Sequence, residues 1–228
     1  MSDYRFSNTA ELDEALASFI TESLAADINA TGKATLVVSG GSTPKGLFAQ
    51  LSHADINWAA VTVLLADDRW VPLDHPDSNE TMVRQTLLVN NAAQANFMSL
   101  VGNYPNIDSN LVQTQALLEQ LPAFSVVILG MGNDMHTASL FPCSAQIDNG
   151  LATSNAVLMT HPTTAPHARI SLSKARLLRT QRGLVHIVGE DKWQVLEQAR
   201  ASESEQAAPI SAFINARNAF DVWWAPKN

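Results

Sequence analysis

Residues 34–51 read Ala34-Thr35-Leu36-Val37-Val38-Ser39-Gly40-Gly41-Ser42-Thr43-Pro44-Lys45-Gly46-Leu47-Phe48-Ala49-Gln50-Leu51. The first five form an apolar run of strand length, whereas Leu47, Phe48 and Leu51 recur at helical spacing. Between them lie two glycines, hydroxyl side chains, and a proline suited to the first position of a helix, with Thr43 as the expected N-cap. The unit is strand, glycine turn, helix. A second unit follows: Val61–Leu65 as strand, a polar loop at 67–76, and a helix from about 78 to 89 with Asp77 and Glu80 as its capping box.

Working outward, Leu12, Leu16, Phe19, Ile20 and Leu24 mark an amphipathic helix over 10–29 that closes near Gly32. Downstream the pattern predicts a helix at 109–120, strands at 125–129, 155–160, 168–172 and 184–188, and a helix from 190 to about 201. Continuous apolar strands separated by helices predict an α/β fold: an open, mainly parallel, Rossmann-like sheet with helices on both faces, as one domain over 1–228. Ligands of such sheets bind beyond the carboxyl ends of the strands. Four polar segments fall there: SGGSTP at 39–44, ADDRW at 66–70, GMGNDMH at 130–136 and GEDK at 189–192.

Composition narrows the partners. Twenty-two acids against fourteen bases give a formal charge of −8, which disfavours nucleic acid and anionic membranes as partners. No apolar run approaches the ~20 residues that a membrane span requires. The first residues lack the basic and apolar regions of a secretion signal, and the single Cys143 cannot form an internal disulfide. A cytoplasmic protein, monomeric or a small homo-oligomer, is expected. The cations are unevenly spread: none lies between Arg84 and Arg169, so an anion site has to draw on both groups.

Backbone N–H groups at the glycine turn and the helix that follows suit a phosphate, although the turn lacks the GK[ST] ending of a P-loop. Gly130-Met131-Gly132 is not a dinucleotide fingerprint, because Met135 occupies the third glycine position. That segment does supply His136, with Asp134 two residues before it, and an imidazole can take a proton from water near neutral pH. Arg69 can hold a phosphate or a developing oxyanion, or else pair with Asp67 or Asp68 within its loop. Asp74 and His75 read as turn chemistry. Arg169 and Lys192 are candidates to close over an anion; Lys174, Arg176, Arg179 and Arg182 read as a solvated face.

Together, SGGSTP (39–44), ADDRWVPLDHPDSN (66–79), LGMGNDMHTASLFP (129–142), ARISLS (168–173) and GEDK (189–192) resemble the 6-phosphogluconolactonase family, in the family's order and over most of the chain. The resemblance implies a fold shared with sugar-phosphate isomerases and deaminases. It also implies hydrolysis of 6-phospho-D-glucono-1,5-lactone, the second step of the oxidative pentose phosphate pathway, with neither metal nor organic cofactor. By position, His136 would be the general base, Arg69 would meet the carbonyl oxygen or the substrate's anionic groups, and Asp134 would shape the histidine's surroundings. Gly41, Ser42, Thr43, Arg169 and Lys192 would bind the 6-phosphate. Met135 stands where the family's G-x-D-G-H motif has its second glycine, so this turn is either less contorted than glycine implies or holds a methionine under strain.

Two other functions fit parts of the pattern. A glucosamine-6-phosphate deaminase would carry a glutamate five residues after the histidine, where this chain has Phe141, and an aromatic in place of Arg69. A non-catalytic sugar-phosphate sensor would bring a regulatory domain, for which one core filling 228 residues leaves little room.

Overall fold

The structure is a computed structural model that describes residues 2–227. In chain order the elements are β1 (Asp3–Arg5), α1 (Thr9–Thr31), β2 (Ala34–Val38), α2 (Lys45–Ser52), β3 (Val61–Leu65), β4 (Asp67–Arg69), α3 (Asn79–Thr86), β5 (Asn96–Met98), α4 (Ile107–Gln120) and β6 (Phe124–Leu129). There follow α5 (Ile147–Ala152), β7 (Val157–Thr160), β8 (Arg169–Leu172), α6 (Lys174–Leu178), β9 (Thr180–Val188), α7 (Glu190–Arg200), α8 (Ser211–Ile214) and β10 (Asp221–Ala225).

Seven strands form a parallel sheet in the order β1-β10-β9-β6-β2-β3-β5. Every residue of β2 and β6 is buried, as strands covered on both faces require. The α/β expectation holds, with one correction: the runs expected at 155–160 and 168–172 do not join that sheet. As β7 and β8 they pair antiparallel and, with β4, make a separate three-stranded sheet. The 67–76 segment therefore begins as a strand rather than as loop. Ala66 is the joint between the sheets, its N–H donating to the Val38 carbonyl and its carbonyl accepting from Leu172 N–H.

Helix ends show where local signals suffice. Asn8 caps α1 and Gly32 closes it at φ 79°, in the left-handed region that glycine occupies at little cost. The Asp77–Glu80 capping box does not form. Ser78 is the cap of α3, while Asp68 accepts from the N–H groups of Asn79 and Glu80 at 2.7 and 3.0 Å, and Glu80 turns to Arg84. A buried carboxylate from β4 thus does what a local side chain was expected to do. Burial pushes Asp68 up to about 6, although three backbone N–H groups pull it down. Arg176 also departs from the solvated face assigned to it: it is 3% exposed, with its guanidinium 3.6 Å from the Phe124 ring centroid.

Asp13 of α1 faces His186 of β9, Oδ1 to Nε2, at 3.6 Å, too long for a hydrogen bond. Burial pushes Asp13 up from 3.8 to about 6 and His186 down from 6.5 to about 4. The folded chain keeps the Asp13 proton where the unfolded chain has lost it, so this group's contribution to stability falls as pH rises from 3.8 to about 6. His186 stays neutral where the unfolded imidazole is charged, so its contribution rises from about pH 4 to 6.5. The two slopes oppose each other. Relative to the parent, Asp13→Asn is expected to gain stability as pH rises across this window and His186→Asn to lose it, read by urea unfolding at several pH values. Three parallel stability–pH curves would refute both shifts.

Candidate active site

The turns that follow β2, β6 and β9, together with β4 and β8, enclose a cleft of about 220 Å³ at the carboxyl edge of the large sheet. Of the residues singled out in the sequence, Gly41, Thr43, Arg69, His136, Arg169 and Lys192 line it. Asp134 reaches it through His136. Ser42 does not line it and is exposed, its carbonyl accepting from Lys45 N–H at 3.4 Å.

The glycine turn is shaped for close approach. Gly41 has φ 97°, and a β-carbon on Gly40 would run into the Asn79 side chain. Thr43 does not cap α2. Pro44 stands at the N-cap position, and no side chain caps the helix. Among the helices of eight or more residues, α1, α3 and α4 have side-chain caps from Asn8, Ser78 and Asn106, whereas α2 and α7, whose first turns border the cleft, have none. The first turn of α7 carries Glu190 and Asp191, whereas that of α2 has no acidic residue, so it is the start of α2 whose N–H groups and positive dipole end are left for an anion.

After β6 the chain makes a tight turn: Gly132 N–H donates to the His136 carbonyl, and Met135 N–H to the Gly132 carbonyl. Met135 sits at φ 64° and Ala138 at φ 47°. The methionine therefore takes the glycine conformation and bears its strain, ~1–2 kcal/mol for a residue with a β-carbon. Its carbonyl is held by Ile210 N–H, and its side chain packs on the core. His136 Nδ1 lies 2.5 Å from Asp134 Oδ1. With Nδ1–H donated to the carboxylate, Nε2 is the nitrogen that can take a proton. Burial raises the Asp134 pKa, but the His136 bond and charge outweigh it and leave the carboxyl below its usual range. Phe141 stacks on the imidazole, with 4.0 Å between centroids.

Arg69 and Arg169 are directly opposed on the β4–β8 ladder. The Arg69 side chain pairs with neither Asp67 nor Asp68; its Nη1 donates to the Asp77 carbonyl at 2.6 Å, and its buried Nε has no partner among the described residues. Arg169 is 5% exposed, donates Nη2 to the Pro166 carbonyl at 3.1 Å, and likewise has an unpartnered Nε. Burial, then the facing Arg69, lowers its pKa. Like charges so placed repel, and an anion between them relieves the repulsion. Lys192 Nζ bonds the Met131 carbonyl at 2.8 Å; burial lowers its pKa, while Asp191 and Asp134 raise it.

Asp67, Asn79, Phe141 and His186 also line the cleft, and sequence reading had assigned none of them to it. Asp67 and Asn79 lay inside a quoted motif; His186 sits within an apolar strand and had no local signal. At the rim, His75, Asp77 and His167 bring ligand atoms within 4.8 Å of one another. They are committed to each other: Asp77 N–H donates to His75 Nδ1 at 3.1 Å, and His167 Nε2 lies 2.9 Å from Asp77 Oδ2.

The model of the family described as glucosamine-6-phosphate isomerases/6-phosphogluconolactonase matches residues 7–224. The chain belongs to that family. Within it, it stands with the 6-phosphogluconolactonases, which are hydrolases. One from Pseudomonas putida is 35% identical over 98% of this chain and 92% of its own. Another, from Rhizobium meliloti, is 37% identical over 97% of both. The crystal structure of a 6-phosphogluconolactonase from Shewanella baltica superposes with a TM-score of 0.96 at 43% identity, covering 99% of this chain and 97% of that one.

A β-carbon on Gly132 would collide with the His136 ring and the Asp134 carboxylate. Gly132→Ala is expected to cut kcat by ~10², the usual consequence of misplacing a reacting group by about 1 Å. Met135→Gly should leave kcat within about threefold, because the turn already has the glycine conformation. Steady-state rates of both variants check this, and a large gain for Met135→Gly would mean that the methionine misaims His136.

Proposed function

We propose that the chain hydrolyses 6-phospho-D-glucono-1,5-lactone to 6-phosphogluconate, the second step of the oxidative pentose phosphate pathway, in the cytoplasm. The observation that carries this reading is an imidazole with Nδ1 committed to Asp134 and Nε2 available, in a cleft that also holds three cations at some distance along the chain from one another. His136 Nε2 takes a proton from water, and the hydroxide adds to the lactone carbonyl carbon. Arg69 meets the oxyanion that forms. Collapse breaks the bond from the carbonyl carbon to the ring oxygen, and the His136 imidazolium returns its proton to that oxygen.

The 6-phosphate sits at the uncapped start of α2, against Gly41 and Thr43, with Arg169 and Lys192 as its cations. Ser42 contributes through its place in the turn rather than by lining the cleft. Phe141 argues against a deaminase: where that chemistry would put a carboxylate, an apolar ring lies flat on the imidazole. The reaction asks nothing of a metal or cofactor, since the base, the oxyanion partner and the phosphate site are all supplied by side chains and backbone.

The test is the rate of 6-phosphogluconate formation from freshly made lactone, corrected for spontaneous hydrolysis, with ammonia release from glucosamine 6-phosphate measured in parallel. His136→Ala should lower kcat by ~10²–10⁴; an unchanged kcat would remove His136 from the mechanism. Arg169→Ala should weaken binding by ~1.5–3 kcal/mol, as the loss of one hydrogen bond to a charged group does. Equal rates on phosphorylated and unphosphorylated gluconolactone would contradict the phosphate site.

A further inference from the structure

The cleft contains a carboxylate for which the reaction above has no use. Asp67, at the start of β4, is 6% exposed and lines the cleft wall. Its Oδ2 accepts the hydroxyl hydrogen of Ser139, which is fully buried. Ser139 is itself held by the small sheet: its N–H donates to Ser171 Oγ at 3.1 Å, and its carbonyl accepts from Thr160 Oγ1 at 3.0 Å. The carboxylate is thus oriented from behind, one oxygen turned into the protein. Its Oδ1 accepts no hydrogen bond among the described residues, is not enclosed as a buried orphan, and so opens onto the cleft.

A negative charge on the wall of an anion site needs a reason. The Asp67 charge favours the charged form of Arg169, but neither arginine bonds it directly among the described residues, so Oδ1 is not used up by that role. Asp68 does not explain it either, since that carboxylate is spent on the Arg69 N–H and the start of α3. What Asp67 offers is a charged acceptor that is desolvated on one side and lacks a donor on the other. An acceptor of this kind is costly to leave unfilled and favours a ligand that brings a donor. The phosphate and carbonyl groups of a phosphorylated sugar lactone accept hydrogen bonds; its ring hydroxyls are the groups that donate them.

We propose that Asp67 is a specificity-determining residue whose Oδ1 accepts a hydrogen bond from a ring hydroxyl of the sugar lactone, with Ser139 as the positioning residue that aims it. The proposal rests on the lactone reading above. Sites built to bond a substrate hydroxyl discriminate against the analogue that lacks it, because the buried group is then left unpaired.

The experiment is a cycle between side chain and substrate. Values of kcat/KM are measured for the parent, Asp67→Asn, Asp67→Ala and Ser139→Ala on 6-phosphogluconolactone and on its 2-deoxy, 3-deoxy and 4-deoxy analogues. Each lactone is generated from the matching sugar 6-phosphate, and spontaneous hydrolysis is subtracted. In the parent, one analogue should lose about 10- to 100-fold, the range for a hydrogen bond to a charged group. Both Asp67 variants should turn over the normal substrate more slowly and distinguish that analogue from it by less than about threefold. Ser139→Ala should shrink the penalty partway, which keeps the test intact if an Asp67 variant does not fold. A residue that merely held the fold or balanced the arginines would slow all four lactones alike, so undiminished penalties in the variants would overturn the assignment. If the parent hydrolyses none of the lactones, the reading beneath it falls first; if it hydrolyses them and the penalties are unaltered, only the role of Asp67 falls.

Discussion

Parallel pairing of β6 with β2 on one side and β9 on the other is the constraint on which the rest depends. It brings three strands to an end at one edge, so the glycine turn, the His136 turn and the Lys192 turn come side by side although about 150 residues separate the first from the last. Ser39 fastens two of them together: its hydroxyl donates to the Ile128 carbonyl at 3.0 Å and accepts from Gly130 N–H at 3.4 Å. The glycine turn and the His136 turn are thereby set by sheet register rather than by flexible loops.

The small sheet contributes the other half of the cleft by a different route. Its antiparallel ladder places Arg69 opposite Arg169, an arrangement that costs energy without an anion between them. The charges of Asp67, Asp68 and Asp77 offset part of that cost by favouring the charged form of Arg169, and Asp68 also fixes the Arg69 backbone and the start of α3. The start of α2, which has neither a side-chain cap nor an acidic residue in its first turn, adds to the positive field. A chain with a formal charge of −8 thus gathers Arg69, Arg169 and Lys192 in one cleft, and its net charge says nothing against an anionic ligand.

The elements read correctly from sequence were those with a strong local signal. α1 has its apolar stripe and Gly32; β2, β3 and β6 are continuous apolar runs; His136 and Lys192 lie in the segments that follow β6 and β9, and Arg69 in the one that follows β3. The strands β1, β5 and β10 were missed. The first two are three residues long and lie at the sheet edges, and β10 is a five-residue run near the C-terminus that pairs with β9 and β1. The assignment of β7 and β8 to a second sheet was equally invisible, because periodicity identifies a strand without naming its partner. No local signal shows that Phe124 covers Arg176, and the spacing of Asp67 suggests only a partner for Arg69.

By itself, the sequence determined the alternation of strand and helix and the glycine turn, because each is written in the spacing of neighbouring residues. It also carried the motifs that link the chain to its family. Only the tertiary structure decided which carboxylate does what: Asp134 on the imidazole, Asp68 on a helix start, Asp67 on the cleft wall with one oxygen free. The physical reason is that a carboxylate's role depends on the donors that reach it. Here Ser139 reaches Asp67 from 72 residues away, and the β4–β8 ladder sets Arg69 and Arg169, a hundred residues apart, face to face.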